Sequence, residues 1–329
     1  MLTGYGKVSN EAGSWIGRSR KRHGNVYRSS TCLGLNGGMK ISRRAFAWGI
    51  AGTGGLVGAP LVRRAFAAPG FSSAWSKDMH SAARLISGSA EPGAAARLAG
   101  IEITLDKAFK TYWRTPGDAG VPPVFNFDGS RGLSAFAVSY PAPVAFSDGG
   151  GTSFGYRERV IFPVRFNTDP AEKTPRLSCA MDYAVCEKIC IPAKAQIVLD
   201  LPPAGTSSPL DAEMQSALAK VPVKTRPGEA SQGLAVTGVR WSNADEKQFR
   251  VAVAAPPSAN ALGLFVDSEA NWLFESKDFA GHPGGGEFRV EIVERPKGIA
   301  PVAPAVFITF AAGDAAIECT IKLDDIARA

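Results

Sequence analysis

The stretch Leu177-Ser178-Cys179-Ala180-Met181-Asp182-Tyr183-Ala184-Val185-Cys186-Glu187-Lys188-Ile189-Cys190-Ile191-Pro192 carries the pattern that decides the architecture. Leu177, Cys179, Met181, Tyr183 and Val185 share one face at the period of two of a β-strand, which turns Cys179 inward and Cys186 outward. If the chain turns through Glu187-Lys188-Ile189 and returns from Cys190, then Ile191, Ala193, Ala195, Ile197, Leu199 and Leu201 fill the buried face of the return strand. Cys186 and Cys190 then stand opposite each other, both facing away from the core. Opposed residues hold their β-carbons about 4.5–5.5 Å apart and a disulfide needs about 3.8 Å, so a small closure joins them. A loop of this length usually wants Gly or Asn in the left-handed region, and this one has neither. A single helical turn, which also places residues four apart on one face, is the alternative.

Outward from this hairpin the chain continues to read as β-structure. Val160, Phe162, Val164 and Phe166 alternate with Arg159, Ile161, Pro163 and Arg165, and Pro163, which has no N–H to give a ladder, predicts an edge strand. Gly/Pro/Asp/Ser clusters at Thr115–Gly120 and Ser147–Gly151 punctuate the region as they do in an all-β sandwich. Residues 68–99 read as an arm, 100–205 as the first domain, and 206–221 as a linker with a short helix over Leu210–Leu218. Apolar runs at Phe249–Val253, Leu262–Val266, Phe288–Ile292 and Ala305–Phe310 predict a second β domain over 222–329. The Gly284-Gly285-Gly286 run lacks the Lys and helix of a phosphate loop and reads as a turn.

Residues 1–67 read as a leader. Lys40-Ile41-Ser42-Arg43-Arg44-Ala45-Phe46 sets a twin arginine before a modest apolar stretch that ends at Ala65-Phe66-Ala67, the pattern of a twin-arginine export signal. Translation is expected to start at Met39 and cleavage to follow Ala67. A membrane anchor is disfavoured because the stretch is Gly-rich and broken by Pro60. Residues 1–67 hold 11 of the 37 Lys and Arg but one of the 30 acidic residues, so 26 bases face 29 acids in the remainder. A basic excess confined to the leader argues against a nucleic-acid partner. No later stretch is long and apolar enough to span a bilayer as a helix, and the mature protein is expected in the periplasm.

Beyond the leader lie four cysteines, Cys179, Cys186, Cys190 and Cys319, and two isolated histidines, His80 and His282. Three chemistries compete for Cys186 and Cys190. A structural staple closing about five residues removes only about 2 kcal/mol of unfolded-chain entropy, against about 3 kcal/mol for fifteen residues. Zinc needs four ligands and the histidines read as surface residues, whereas Cu(I) accepts soft sulfur alone. A short, exposed bridge that partners can reduce suits thiol-disulfide exchange best. Here Lys188 favours a thiolate and Glu187 opposes one. Tyr112, Trp113 and Phe125 either line the site or belong to the core. Cys179 and Cys319 are either separate thiols or a staple between the domains.

The region Ile101–Leu201 resembles the amino-terminal periplasmic domain of the thiol:disulfide interchange protein DsbD. The likeness rests on Lys110-Thr111-Tyr112-Trp113-Arg114-Thr115-Pro116-Gly117-Asp118-Ala119-Gly120-Val121-Pro122-Pro123, Tyr140-Pro141-Ala142-Pro143, Phe154-Gly155-Tyr156 and Tyr183–Pro192, and is nearest to the branch associated with suppression of copper sensitivity. The resemblance implies an immunoglobulin-like sandwich without a cofactor or resident metal. Its cysteines, by resemblance Cys186 and Cys190, take electrons from a membrane-embedded thiol protein and pass them to periplasmic thioredoxin-fold partners. It also implies that Cys190 forms the mixed disulfide, that Cys186 resolves it, and that Phe154 or Tyr156, on the loop Ser147–Tyr156, shields the pair. Two features depart from the family pattern: only three residues separate the cysteines, and neither the membrane conduit nor the thioredoxin-like domain is present, so either a separate membrane protein reduces the pair or the protein works in the opposite direction, as an oxidant. A periplasmic Cu(I)-binding, copper-tolerance module using the same thiols is the alternative.

Overall fold

A computed structural model describes residues 70–147, 151–242, 246–268, 272–295 and 305–328. The readings for residues 1–67, including the export signal and its cleavage, lie outside the described residues. In chain order the elements are β1 (Ser76–Asp78), β2 (Ser81–Ser87), β3 (Ala96–Leu105), β4 (Lys110–Gly117), β5 (Val124–Asn126), β6 (Leu133–Val138), β7 (Val144–Ser147), β8 (Thr152–Arg157), β9 (Arg159–Thr168), β10 (Arg176–Cys186) and β11 (Cys190–Asp200). The helix α1 (Asp211–Ala219) follows. Then come β12 (Val223–Thr225), β13 (Ala235–Trp241), β14 (Gln248–Ala254), β15 (Leu262–Ser268), β16 (Leu273–His282), β17 (Gly285–Glu294), β18 (Ala305–Ala312) and β19 (Ala315–Lys322).

The first eleven strands form two sheets, ordered β1-β2-β3-β9-β6 and β11-β10-β4-β8-β7, with β5 paired to β10. Their facing residues build one core, in which Leu85, Ile101, Ile103, Phe162, Val164 and Phe166 meet Trp113, Leu177, Met181, Val185 and Ile197. Burying each such side chain contributes about 1.5–3 kcal/mol, which is why the alternation in β10 and β11 fixes their register. The expected arm is part of this sandwich, because Ala83, Leu85 and Ile86 of β2 are fully buried and pair with β3. Pro163 also departs from expectation: β9 lies between β3 and β6. Its carbonyl accepts from the Ser139 N–H just past the end of β6 at Val138, so the missing proline N–H faces the same side, where the ladder has already ended.

The helix packs Met214 and Ala217 onto Ile86 and Ile161 of the first sandwich. The second sandwich pairs the sheet β12-β19-β18-β15 with the sheet β13-β14-β17-β16. Its core joins Val236, Phe249, Val251 and Val290 to Leu264, Ile308, Phe310, Ile317 and Cys319.

The two sandwiches meet along β4. Phe265 of β15 stands edge-on to Trp113, centroids 5.9 Å apart, and to Phe154, 5.1 Å apart. Arg114 stacks on the Trp113 ring at 4.4 Å and donates to Asp267 at 2.7 Å and Glu318 at 2.6 Å. Thus one strand touches the second domain through Trp113 and Arg114, while Lys110 and Tyr112 face the cysteine hairpin.

Candidate functional site

β10 and β11 pair without a bulge from Arg176↔Asp200 to Cys186↔Cys190, so Glu187, Lys188 and Ile189 form the hairpin loop. None of the three has a positive φ, and the loop closes without a left-handed residue. Hydrogen bonding around the ladder identifies which pairs are which. The Ser178 backbone bonds Ser130 and the Ala184 carbonyl accepts from Thr111 Oγ1, so even-numbered residues of β10 direct their backbone away from β11. Cys186↔Cys190 is therefore a non-hydrogen-bonded pair, the kind in which Cα atoms approach to about 4.5 Å and side chains stand closest. The sulfurs are 2.8 Å apart as free thiols, against about 2.05 Å in a disulfide.

The two thiols differ in access. Cys190 is exposed, whereas Cys186 is 6 % exposed and packs with Tyr112 and Ala184 on the outer face of the sheet. Outward direction does not mean solvent for Cys186, since Tyr112 covers it. The Tyr112 hydroxyl lies 3.0 Å from Cys190 Sγ. Gly120, at φ +128, lies against the Tyr112 ring, and a side chain there would overlap it.

Lys110 is the register partner of Cys186 across β4 and β10, and is 3 % exposed. Its ammonium donates to Ser153 Oγ at 2.8 Å and sits 5.3 Å from the centre of the Phe146 ring. Burial first, then the hydrogen bond that the protonated Cys186 shares with Cys190, pushes the Cys186 thiol above its usual range, while the Tyr112 hydroxyl and the Lys110 charge pull it down. Burial also raises the Tyr112 phenol, with the thiols adding to the rise, so it remains an O–H donor. When a sulfur ionises, that O–H stabilises the thiolate.

The expected shielding residues sit elsewhere. Tyr156 is buried in the first core with its hydroxyl donating to the Pro141 carbonyl, and Phe154 packs on Phe265. The aromatic against the sulfurs is Tyr112, while Trp113 and Phe125 belong to the core. Glu187 and Lys188 are exposed in the loop. Sequence reading gave Lys110 no role, although Lys110 and Tyr112 at a spacing of two already shared one strand face. Cys179 and Cys319 are separate free thiols in different cores, Cys319 beside Thr225 Oγ1 at 3.1 Å. Burial pushes the Cys179 thiol up to about 12. His80 stacks on Phe109 and bonds Asp106, and His282 is exposed. Among the described residues no three His, Cys, Asp or Glu cluster as a metal site, and no helix is long and apolar enough to cross a membrane.

Fold and site together define a β-sandwich that presents a cross-strand cysteine pair at a hairpin tip. Residues 84–202 match the family described as thiol:disulfide interchange protein DsbD, N-terminal, which bears out the resemblance over that part of the chain. The chain is also similar to the crystal structure described as the N-terminal periplasmic domain of ScsB from Proteus mirabilis, with TM-score 0.62 and 18 % identity over 79 % of this chain and 100 % of that one. That coverage exceeds the family match and takes in both sandwiches. The all-β architecture, an immunoglobulin-like sandwich followed by a second β domain, is thereby shared. No curated protein sequence matches the chain.

Proposed function

We propose that this chain is a periplasmic thiol-disulfide exchange protein that passes electrons through Cys186 and Cys190, from a membrane-embedded thiol protein to thioredoxin-fold partners. The observation that carries the proposal is the asymmetry of two opposed thiols: one exposed, the other covered, 2.8 Å apart. Cys190, as thiolate, attacks one sulfur of a partner disulfide, forming a mixed disulfide and releasing the other sulfur as a thiolate that takes up a proton. Cys186 then loses its proton and attacks Cys190 Sγ, closing Cys186–Cys190 and releasing the second partner thiol. Two electrons have passed to the partner, and the membrane protein restores the dithiol. Tyr112 supports the thiolates by hydrogen bonding and Lys110 by charge. The loop residues Glu187 and Lys188 lie in solvent, where their opposite charges act weakly.

The test is to mix reduced Cys186→Ser protein with oxidised thioredoxin-fold proteins of the periplasm. A disulfide-linked adduct through Cys190 is expected, and Cys190→Ser protein should give none. No adduct from either variant with any such protein contradicts the reading.

Periplasmic Cu(I) binding by the same thiols is the second reading, favoured by the close approach of two soft ligands. Cys186 and Cys190 would hold the ion through their thiolates, and their sulfurs, 2.8 Å apart, would have to move apart to admit it. Titration of reduced protein with Cu(I) against a competing chelator tests it, with one equivalent bound and lost on Cys186→Ser/Cys190→Ser as the supporting result.

A further inference from the structure

Arg97 is a buried cation that the fold leaves without a counter-charge among the described residues. It pairs with Phe166 across β3 and β9 and shares the parity of Ala99, Ile101 and Ile103, whose side chains fill the first core. The guanidinium therefore enters the sandwich between its two sheets, at the end where β11 runs out toward Pro202. Arg97 is 6 % exposed. Its one hydrogen bond among the described residues runs from Nη2 to the Pro202 carbonyl at 3.0 Å, and Nε is buried with no acceptor. A guanidinium cannot shed its proton as a buried lysine can, so five N–H donors and a permanent charge meet a single carbonyl. Desolvation is the cause acting on the Arg97 pKa, and lowers it, with no acid offsetting it. An uncompensated buried charge is strongly destabilising until an anion joins it.

Arg97 lines a cavity of about 290 Å³ whose walls include Ala94, Ala95, Pro175, Pro202 and Pro203. Two acids also line it, and both are committed to their own loop. Asp169 Oδ1 accepts from the Ala171 N–H at 2.9 Å, while Glu172 Oε1 accepts from the Thr174 N–H at 2.9 Å and Oε2 pairs with Arg131 at 3.3 Å. We propose that this cavity binds a small monocarboxylate with an apolar body, its carboxylate on the Arg97 guanidinium and its body against the proline and alanine wall. The planar fork of a guanidinium matches a carboxylate. Asp169 and Glu172 outnumber Lys173 at the cavity, so a second negative charge on the ligand would be repelled. The volume lies just below the range of about 300–1,000 Å³ that holds drug-sized ligands, which suits a body of a few carbons. β11 runs from Cys190 to Asp200, about 33 Å at the rise of a strand, so the site stands at the far end of the sandwich from the thiols and is independent of the exchange reading.

Butyrate is the probe, titrated into isotope-labelled protein with chloride at equal ionic strength as the reference. The Nε–H resonance of Arg97, read by NMR, should shift saturably with a millimolar dissociation constant, and the denaturant midpoint should rise with butyrate concentration. Arg97→Met removes the unpaired charge and keeps an apolar stem. Its affinity for butyrate should fall by about tenfold or more, the worth of a hydrogen bond to a charged group, and its midpoint should not respond. The resonance is read on the parent chain, so the test stands even where Arg97→Met fails to fold. An Arg97 resonance that butyrate moves no further than chloride does overturns the site. Inorganic phosphate binding more tightly than butyrate overturns the choice of a monocarboxylate, and an undiminished butyrate response in folded Arg97→Met puts the binding elsewhere and overturns the proposal.

Discussion

The Tyr112 hydroxyl reaches Cys190 Sγ at 3.0 Å from a strand whose next two residues, Trp113 and Arg114, hold the second domain. The hydrogen bond that supports the thiols therefore belongs to a strand braced by both sandwiches.

Tyr112→Phe keeps the ring over Cys186 and removes the hydrogen bond. A hydrogen bond to an ionised group is worth about 1.5–3 kcal/mol, so its loss should slow thiolate alkylation several-fold at neutral pH. The rate of iodoacetamide modification checks this, and an unchanged rate removes Tyr112 from the chemistry.

Lys110→Met removes the buried charge opposite Cys186 and retains the aliphatic stem. Because Lys110 lowers the Cys186 thiol, its loss should slow the resolving step more than the attacking one. Rapid-quench kinetics of mixed-disulfide decay should show the adduct persisting several-fold longer at neutral pH, with its pH profile moved upward.

The Cys186–Cys190 register was legible from sequence because a period-two pattern with one buried face leaves a single way to align β10 and β11. The second domain's strands were legible for the same reason, as at Phe249–Val253 within β14. Contacts set by distant chain segments were not. Phe154 looked free to cover the thiols, yet Phe265, far along the chain, claims its ring. Pro163 looked like an edge residue because nothing local shows that β6 stops at Val138. The polar and Ala-rich stretch before Ile101 concealed β2 and β3, whose burial comes from packing across the sandwich.

Cys179 gives a pH signature of stability. Its thiol sits near 12 when folded, against an ordinary value of 9.0, and is 1 % exposed. Between those values the unfolded chain has lost a proton that the folded chain keeps, so this contribution is intact below pH 9 and falls by about 1.4 kcal/mol per pH unit above it. Denaturant titrations at pH 8 and 10 should show a smaller loss in Cys179→Val protein than in the parent, and equal slopes would refute the assignment.

Arg114→Met leaves Asp267 and Glu318 facing each other at the interface. Removing one partner of a buried pair typically costs about 3–5 kcal/mol, and the low end applies because Arg114 is 28 % exposed. Burial already raises the Asp267 carboxyl. The variant should unfold at lower denaturant, with the deficit shrinking as the pH falls and a carboxyl protonates.

The reduction potential of the Cys186/Cys190 pair, measured by equilibration with glutathione buffers and thiol counting, tests the central claim most directly. A pair built to open and close should come to equilibrium above about −300 mV, within reach of exchange partners. A bond that stays closed well below about −300 mV, or thiols that never join under oxidising buffer, would contradict the account.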